Sequence, residues 1–271
     1  MKRLIVSGDD MGLHPGINAG VLRCHREGIV TSASLCPNGA AFEDAVAALR
    51  QAPELDVGVH LTLVGEAPLL PPERLPTLAP GGRLPAHFTA LFLRLLLRRV
   101  REAEVEAEMA AQVARARDAG LRPSHLDSHQ HVHLHPALLP VVLRVARRFG
   151  IGAVRASARI VSWRSLRSAL LVLASRRGAR RFRESGLRTP DALVGIAETG
   201  RLDEARLLGL VAALPEGASE LVCHPGAGDA AIASAYGWGF RWDEEAAALT
   251  SPAVRAALQR EGVRLIAYRD L

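Results

Sequence analysis

Lysine is almost missing from this 271-residue sequence: Lys2 is the only one, and arginine supplies the rest of the 34 basic residues. Arginine suits phosphate or carboxylate recognition, although codon usage produces the same skew. The net charge of +6 is modest for this length and no recognition motif accompanies it, so nucleic acid is not an expected partner. Cysteine is scarce as well. Cys24, Cys36 and Cys223 are scattered, odd in number and without a CxxC pair. That argues against a disulfide scaffold and fits a reducing, cytoplasmic compartment. Long apolar runs are also lacking. Leu4, Ile5 and Val6 stop at Ser7, too short for a signal peptide, and nothing approaches a span of about 18 residues.

What is present is a chain that is 49% hydrophobic and 23% charged, enough apolar material for one large core. Short apolar runs alternate with amphipathic stretches. Strands are expected at 3–7, 29–35, 55–63, 124–128, 153–155, 192–196, 219–223 and 264–268, with early helices at 15–26 and 40–50. Repeated βα units imply a parallel sheet. Seven or eight of them over about 250 residues point to a single α/β barrel of the TIM type spanning 1–271. The Pro- and Gly-rich stretch 68–85 reads as a loop insertion. In such barrels the chemistry sits at the C-terminal ends of the strands.

Polar residues do cluster at those ends. The first strand runs into Asp9 and Asp10, which suit a metal ligand beside a general base, or equally a helix cap. Alternation in the third strand puts Asp56, Gly58, His60 and Thr62 on one face and Leu55, Val57, Val59, Leu61 and Leu63 on the other. Five of the ten histidines, His125, His129, His131, His133 and His135, fall at odd positions joined by Asp127. An extended chain would aim them all one way, supplying one or two metal ligands with the others as supporting partners or substrate contacts. A solvated histidine-rich loop is the plainer alternative. The seventh strand leads into His224, which suits a general acid or a loop cap. Two imidazoles and one carboxylate would leave coordination positions open for water and substrate.

The set Gly8-Asp9-Asp10-Met11-Gly12-Leu13, Gly58-Val59-His60-Leu61, His125 through His133 and Cys223-His224-Pro225 resembles the YdjC-like carbohydrate deacetylases, a family that includes chitooligosaccharide deacetylases. The similarity runs to the closing Tyr268-Arg269-Asp270. It implies metal-dependent removal of acetate from an N-acetylated amino sugar. By that resemblance the metal triad falls on Asp10, His60 and His129, the base on Asp9 and the acid on His224. Arg155, His125 and His131 are then expected near the substrate. The ligand set implies one divalent ion, zinc favoured over magnesium. The first motif departs from many relatives in carrying Met11 where they have an aromatic.

The stretches 186–192 and 200–202 are most similar to the hopanoid-biosynthesis branch, which implies an N-acetylglucosaminyl group on a hopanoid lipid. Leucine-arginine segments at 88–99 and 163–183 suit peripheral contact with the inner face of an anionic membrane, or alternatively the flank of a barrel core. The competing function classes are a metal-dependent phosphoesterase and a non-catalytic lipid-binding barrel.

Overall fold

The structure, a computed structural model, describes residues 1–160 and 166–271. Trp163, at the head of the second leucine-arginine segment, lies outside the described residues. The first four strands are β1 (Lys2–Met11), β2 (Ser32–Leu35), β3 (Asp56–Leu61) and β4 (His125–Ser128). Then come β5 (Ala153–Val154), β6 (Arg159–Ile160), β7 (Ala192–Val194), β8 (Gly217–Cys223) and β9 (Arg264–Leu265). The helices of the first half are α1 (Pro15–Glu27), α2 (Phe42–Arg50), α3 (Phe88–Leu96), α4 (Glu102–Asp118) and α5 (Leu139–Arg148). The second half carries α6 (Leu166–Glu184), α7 (Glu204–Ala212), α8 (Asp229–Ala235), α9 (Trp242–Leu249) and α10 (Pro252–Arg260).

All strand pairs are parallel, in the order β5-β4-β3-β2-β1-β8-β7-β6. A parallel bridge from Ala153 to Arg188, just ahead of β7, joins one end of that order to the other side. The expected α/β barrel is therefore the observed architecture. The last predicted strand is only the two-residue β9, which pairs with Arg3 and Leu4 where β2 does not reach. The short β6 was not anticipated, because two residues carry no readable period.

Leu4, Val6, Val57, Val59, Leu61 and Leu126 face outward into the large core beneath the helices. The inward face is unusual in being mostly polar above a small apolar plug of Ile5, Ala153, Ala218, Ile266 and Tyr268. The 68–85 insertion is strapped down rather than free. Glu108 of α4 accepts from the Leu69 and Leu70 amides (2.9 and 3.0 Å), and Glu104 from Thr77 and Leu78 (2.7 and 2.8 Å). On the other side α1 presses directly onto the loop after β8. A Cβ at Gly20 would stand 2.3 Å from the Cα of Gly226, so only glycine permits that approach.

Two histidines of the β4 region are structural. His125 is fully buried and stacks on Tyr268, with ring centroids 3.7 Å apart and planes 13° apart. It fits because its neighbour across the pair is Gly58, where a Cβ would stand 2.4 Å from the ring. His133 accepts from the Ser128 hydroxyl (2.6 Å) and donates to the carbonyl of Arg155 (2.7 Å). Burial, reinforced by the Arg155 charge, holds both imidazoles neutral and pushes each pKa down to about 4 from 6.5. An unfolded chain therefore takes up more protons than the native one between these values. Stability is complete above about pH 6.5 and falls toward pH 4, by up to roughly 1.4 kcal/mol per pH unit for each group. Urea unfolding across this window should show the decline, and His125→Asn should make it shallower. An equally steep decline in the variant would contradict the assignment of His125 as a buried neutral ring.

Candidate metal centre and active site

In a regular strand Asp9 and Asp10 would point to opposite faces. The structure avoids this with a register shift between Gly8 and Met11 and a left-handed residue, Asp10, at φ 66°. Aspartate is among the few side chains that tolerate this conformation, and a bulge is a recurrent way to re-aim a side chain. The Asn18 carboxamide accepts from the Gly12 amide at 2.7 Å and pins the turn that follows.

Asp10, at the mouth of the barrel, has its Oδ1 2.8 Å from His129 Nδ1 and 3.4 Å from His60 Nε2. All three residues are buried, and their ligand atoms lie within 4.8 Å of one another. Burial raises the Asp10 carboxyl, but the two imidazoles outweigh it and hold its pKa well below the usual range. His60 Nδ1 in turn stands 3.0 Å from Asp127 Oδ1, close enough for ion pairing although neither atom is aligned for a hydrogen bond. Burial pushes His60 down, yet Asp127, Asp9 and Asp10 more than offset it and lift the pKa to about 10. The cluster thus demands positive charge. A divalent cation meets that demand without a proton on His60, so the residues present fit a metal. Asp9, His60 and Asp127 form a second group of metal-ligating type. Both of its carboxylates are already engaged by Arg155, which favours the first set.

That arginine is Arg155. Its guanidinium has no solvent exposure and donates to both oxygens of Asp9 (2.6 and 2.7 Å) and to Glu220 (2.8 Å). It also lies 2.6 Å from Asp127 and donates to the Ser7 hydroxyl at 3.2 Å. Asp127 further accepts from Ser34 at 2.9 Å. Glu220 bonds the Tyr268 hydroxyl through its other oxygen, and burial pushes its carboxyl up to about 7 despite Arg155.

The expectation that Arg155 and His125 meet substrate is therefore corrected. Both are fully buried, the first among three carboxylates beneath the mouth and the second against Tyr268 below that. The expected alignment of the odd-numbered histidines is corrected too. The extended chain ends at Ser128, and Gln130 and His131 follow at φ 56° and 57° inside a tight turn. His129 alone of the five joins Asp10. His131 Nδ1 is buried without a hydrogen-bond partner, and burial pushes its pKa well down. His224 does follow β8 directly, in a position next to Asp9 across the β1–β8 pair. Its amide donates to Glu245 at 2.7 Å, and its Nδ1 is buried with no partner.

Sequence reasoning missed Glu220 and Tyr268. The available signal was a glutamate set inside the apolar run of β8. It also passed over Glu66, whose half-buried carboxyl is raised by burial and partly brought back by His129 and Tyr236.

Comparisons with known proteins bear on the family and the fold. The YdjC-like protein family matches residues 3–260. A carbohydrate deacetylase of Geobacillus stearothermophilus is 32% identical over 268 residues, 98% of this chain and 96% of that one. A chitooligosaccharide deacetylase of Proteus mirabilis is 43% identical over 81 residues, 30% of this chain and 31% of that one. Among solved structures, an Enterococcus faecalis V583 protein provisionally named for cellobiose-phosphate cleavage superposes with a TM-score of 0.82 at 28% identity. That superposition covers 99% of this chain and 98% of the other. The chain belongs to the YdjC-like family.

Proposed function

We propose that this protein is a carbohydrate deacetylase that hydrolyses the acetamide of an N-acetylated amino sugar with a divalent ion held by Asp10, His60 and His129. The observation that carries this reading is the unlike treatment of two adjacent aspartates. Asp10 faces two imidazoles, whereas Asp9 is clamped by a buried guanidinium. The Geobacillus relative, similar along almost the whole chain, is named for the same activity.

An ion at the triad supplies Lewis acidity, polarising a carbonyl and acidifying water. The Asp9 carboxylate keeps free lone pairs beyond the two that Arg155 occupies, so it can take a proton while its orientation stays fixed. Asp9 removes a proton from the water that attacks the acetamide carbon. His224 gives a proton to the departing amine, which is a poor leaving group without it. The products are acetate and the free amino sugar. A phosphoesterase is less well supported, because three of the buried carboxylates are held by Arg155 rather than free to bind a second ion.

Within this reading the amino sugar is an N-acetylglucosaminyl group on a hopanoid lipid, with a chitooligosaccharide as the alternative, and zinc is the preferred ion. The support for a lipid-linked substrate is on the surface. Leu93, Leu96 and Leu97 at the end of α3 are 56%, 75% and 50% exposed, and Leu173 of α6 is 62% exposed. They sit among arginines and have no role in the core. No helix among the described residues is long and apolar enough to cross a membrane. Contact with lipid would therefore be peripheral, at the inner membrane face of the cytoplasm. Acetate release from N-acetylglucosamine oligomers and from the lipid-linked sugar, with and without chelator, tests activity, metal dependence and substrate together. Activity that survives exhaustive chelation would remove the metal from the account.

Two sets of variants test the roles. His60→Ala and His129→Ala should each lose bound metal and activity together, and Asp10→Asn should weaken both. Full metal occupancy in both histidine variants would sink the triad. Asp9→Asn should keep its metal while the rate drops roughly 10²–10⁴-fold, the range for loss of a general base. His224→Ala should fold, hold metal and lose kcat far more than substrate affinity. A near-normal rate in metal-loaded His224→Ala would take this residue out of the mechanism.

A further inference from the structure

Aromatic residues are few, with 3 Trp, 2 Tyr and 6 Phe in the whole chain. Yet Tyr236, Trp238, Phe240 and Trp242 follow one another at alternate positions in the link from α8 to α9. Trp242 is buried and serves as the base of the group, 5.7 Å from the Phe240 ring and 6.4 Å from that of Trp238. The other three rings are only half-buried, although aromatic side chains of this size contribute most when fully packed. They form a continuous row, with centroids 4.7 Å apart for Tyr236–Trp238 and 5.4 Å for Trp238–Phe240.

The row borders the candidate site at two of its rings. Trp238 lies 5.3 Å from the His129 ring and Phe240 lies 5.2 Å from the His224 ring. The residues between Tyr236, Trp238 and Phe240 are glycines set in open space. A Cβ at Gly237 or Gly239 would meet nothing within 4 Å. Behind Phe240 the situation is the reverse, since a Cβ at Gly200 would overlap its ring at 2.2 Å. The ring is thus seated against Gly200 on one side and only half-buried overall. A polar rim completes the surface, with the Tyr236 hydroxyl donating to the Leu13 carbonyl at 3.2 Å and the Glu66 carboxyl beside it.

We propose that Tyr236, Trp238 and Phe240 form a stacking platform for a pyranose ring, centred on Trp238. The inference rests on the reading above that the substrate is an N-acetylated sugar, and it names the surface that recognises the sugar. A pyranose has an apolar C–H face, weakly positive, that matches the negative face of an aromatic ring. Its hydroxyls need polar partners at the edge. The row supplies the first and the Tyr236–Glu66 rim the second, next to the residues assigned to the chemistry.

The test measures acetate release from the N-acetylglucosamine trimer by the full chain with its metal bound. Trp238→Ala should raise KM roughly tenfold, in keeping with loss of one aromatic stacking contact, and leave kcat and bound metal within about twofold. Trp238→Phe should recover most of the loss. Separately, the trimer added to chelator-treated wild type should change tryptophan fluorescence, and the change should vanish in Trp238→Phe. If Trp238→Ala keeps its KM, or instead loses metal and kcat, Trp238 only buttresses His129 and the platform is overturned while deacetylation stands. If the trimer binds with a Trp238-dependent signal but no acetate appears from it or from the lipid-linked sugar, the platform stands and the deacetylase reading fails.

Discussion

One buried guanidinium carries the charge balance of the barrel interior. Asp9, Asp127 and Glu220 reach inward from three different strands, where isolated carboxylates could not remain ionised. Arg155 enters from the end of a fourth strand and spreads its donors over all three. Removing one partner from such a buried set typically costs about 3–5 kcal/mol, because the remaining charges are left uncompensated. The same contacts orient the chemistry. Asp9 is held by two hydrogen bonds to Arg155, and Asp127 relays the constraint to His60. Positioning the proposed base and supporting a proposed metal ligand are thus two effects of one side chain.

The second constraint is backbone geometry at the end of β1. Charge balance places Asp9 over Arg155, but a regular strand would then turn Asp10 away from the imidazoles. The bulge and the positive φ of Asp10 bring both carboxylates to one mouth with different neighbours. Left-handed conformations at non-glycine residues carry a cost and tend to persist at functional sites. Here the product is a pair of adjacent aspartates with unlike electrostatic surroundings, and unlike surroundings are what separate a ligand from a base.

The barrel was legible in the sequence because β3 alternates so cleanly and because polar residues stop each apolar run at its C-terminal end. Asp10, His60 and His224 stood out at strand ends for the same reason, whereas His129 was singled out from its block only by the resemblance. The failures are equally physical. Arg155 was expected at the substrate from the resemblance and His125 as one of the spare histidines, since nothing in a linear sequence shows that Glu220 and Tyr268 wait inside to receive them. The odd-numbered histidines looked aligned because two consecutive left-handed residues, Gln130 and His131, cannot be read from a period of two. The aromatic row at 236–242 went unnoticed because its alternate spacing lies in a connection between helices, where no strand forms. Its meaning came from ring contacts to His129 and His224 that only the fold creates.

The central division is between Asp10 with two histidines as the proposed holders of a cation and Asp9 with Arg155 as the proposed base and its clamp. Anomalous diffraction at the zinc absorption edge from zinc-loaded crystals tests this most directly. The predicted result is one strong peak bounded by Asp10, His60 and His129, with Asp9 still bonded to Arg155. A peak among Asp9, His60 and Asp127, with Arg155 displaced, would contradict it.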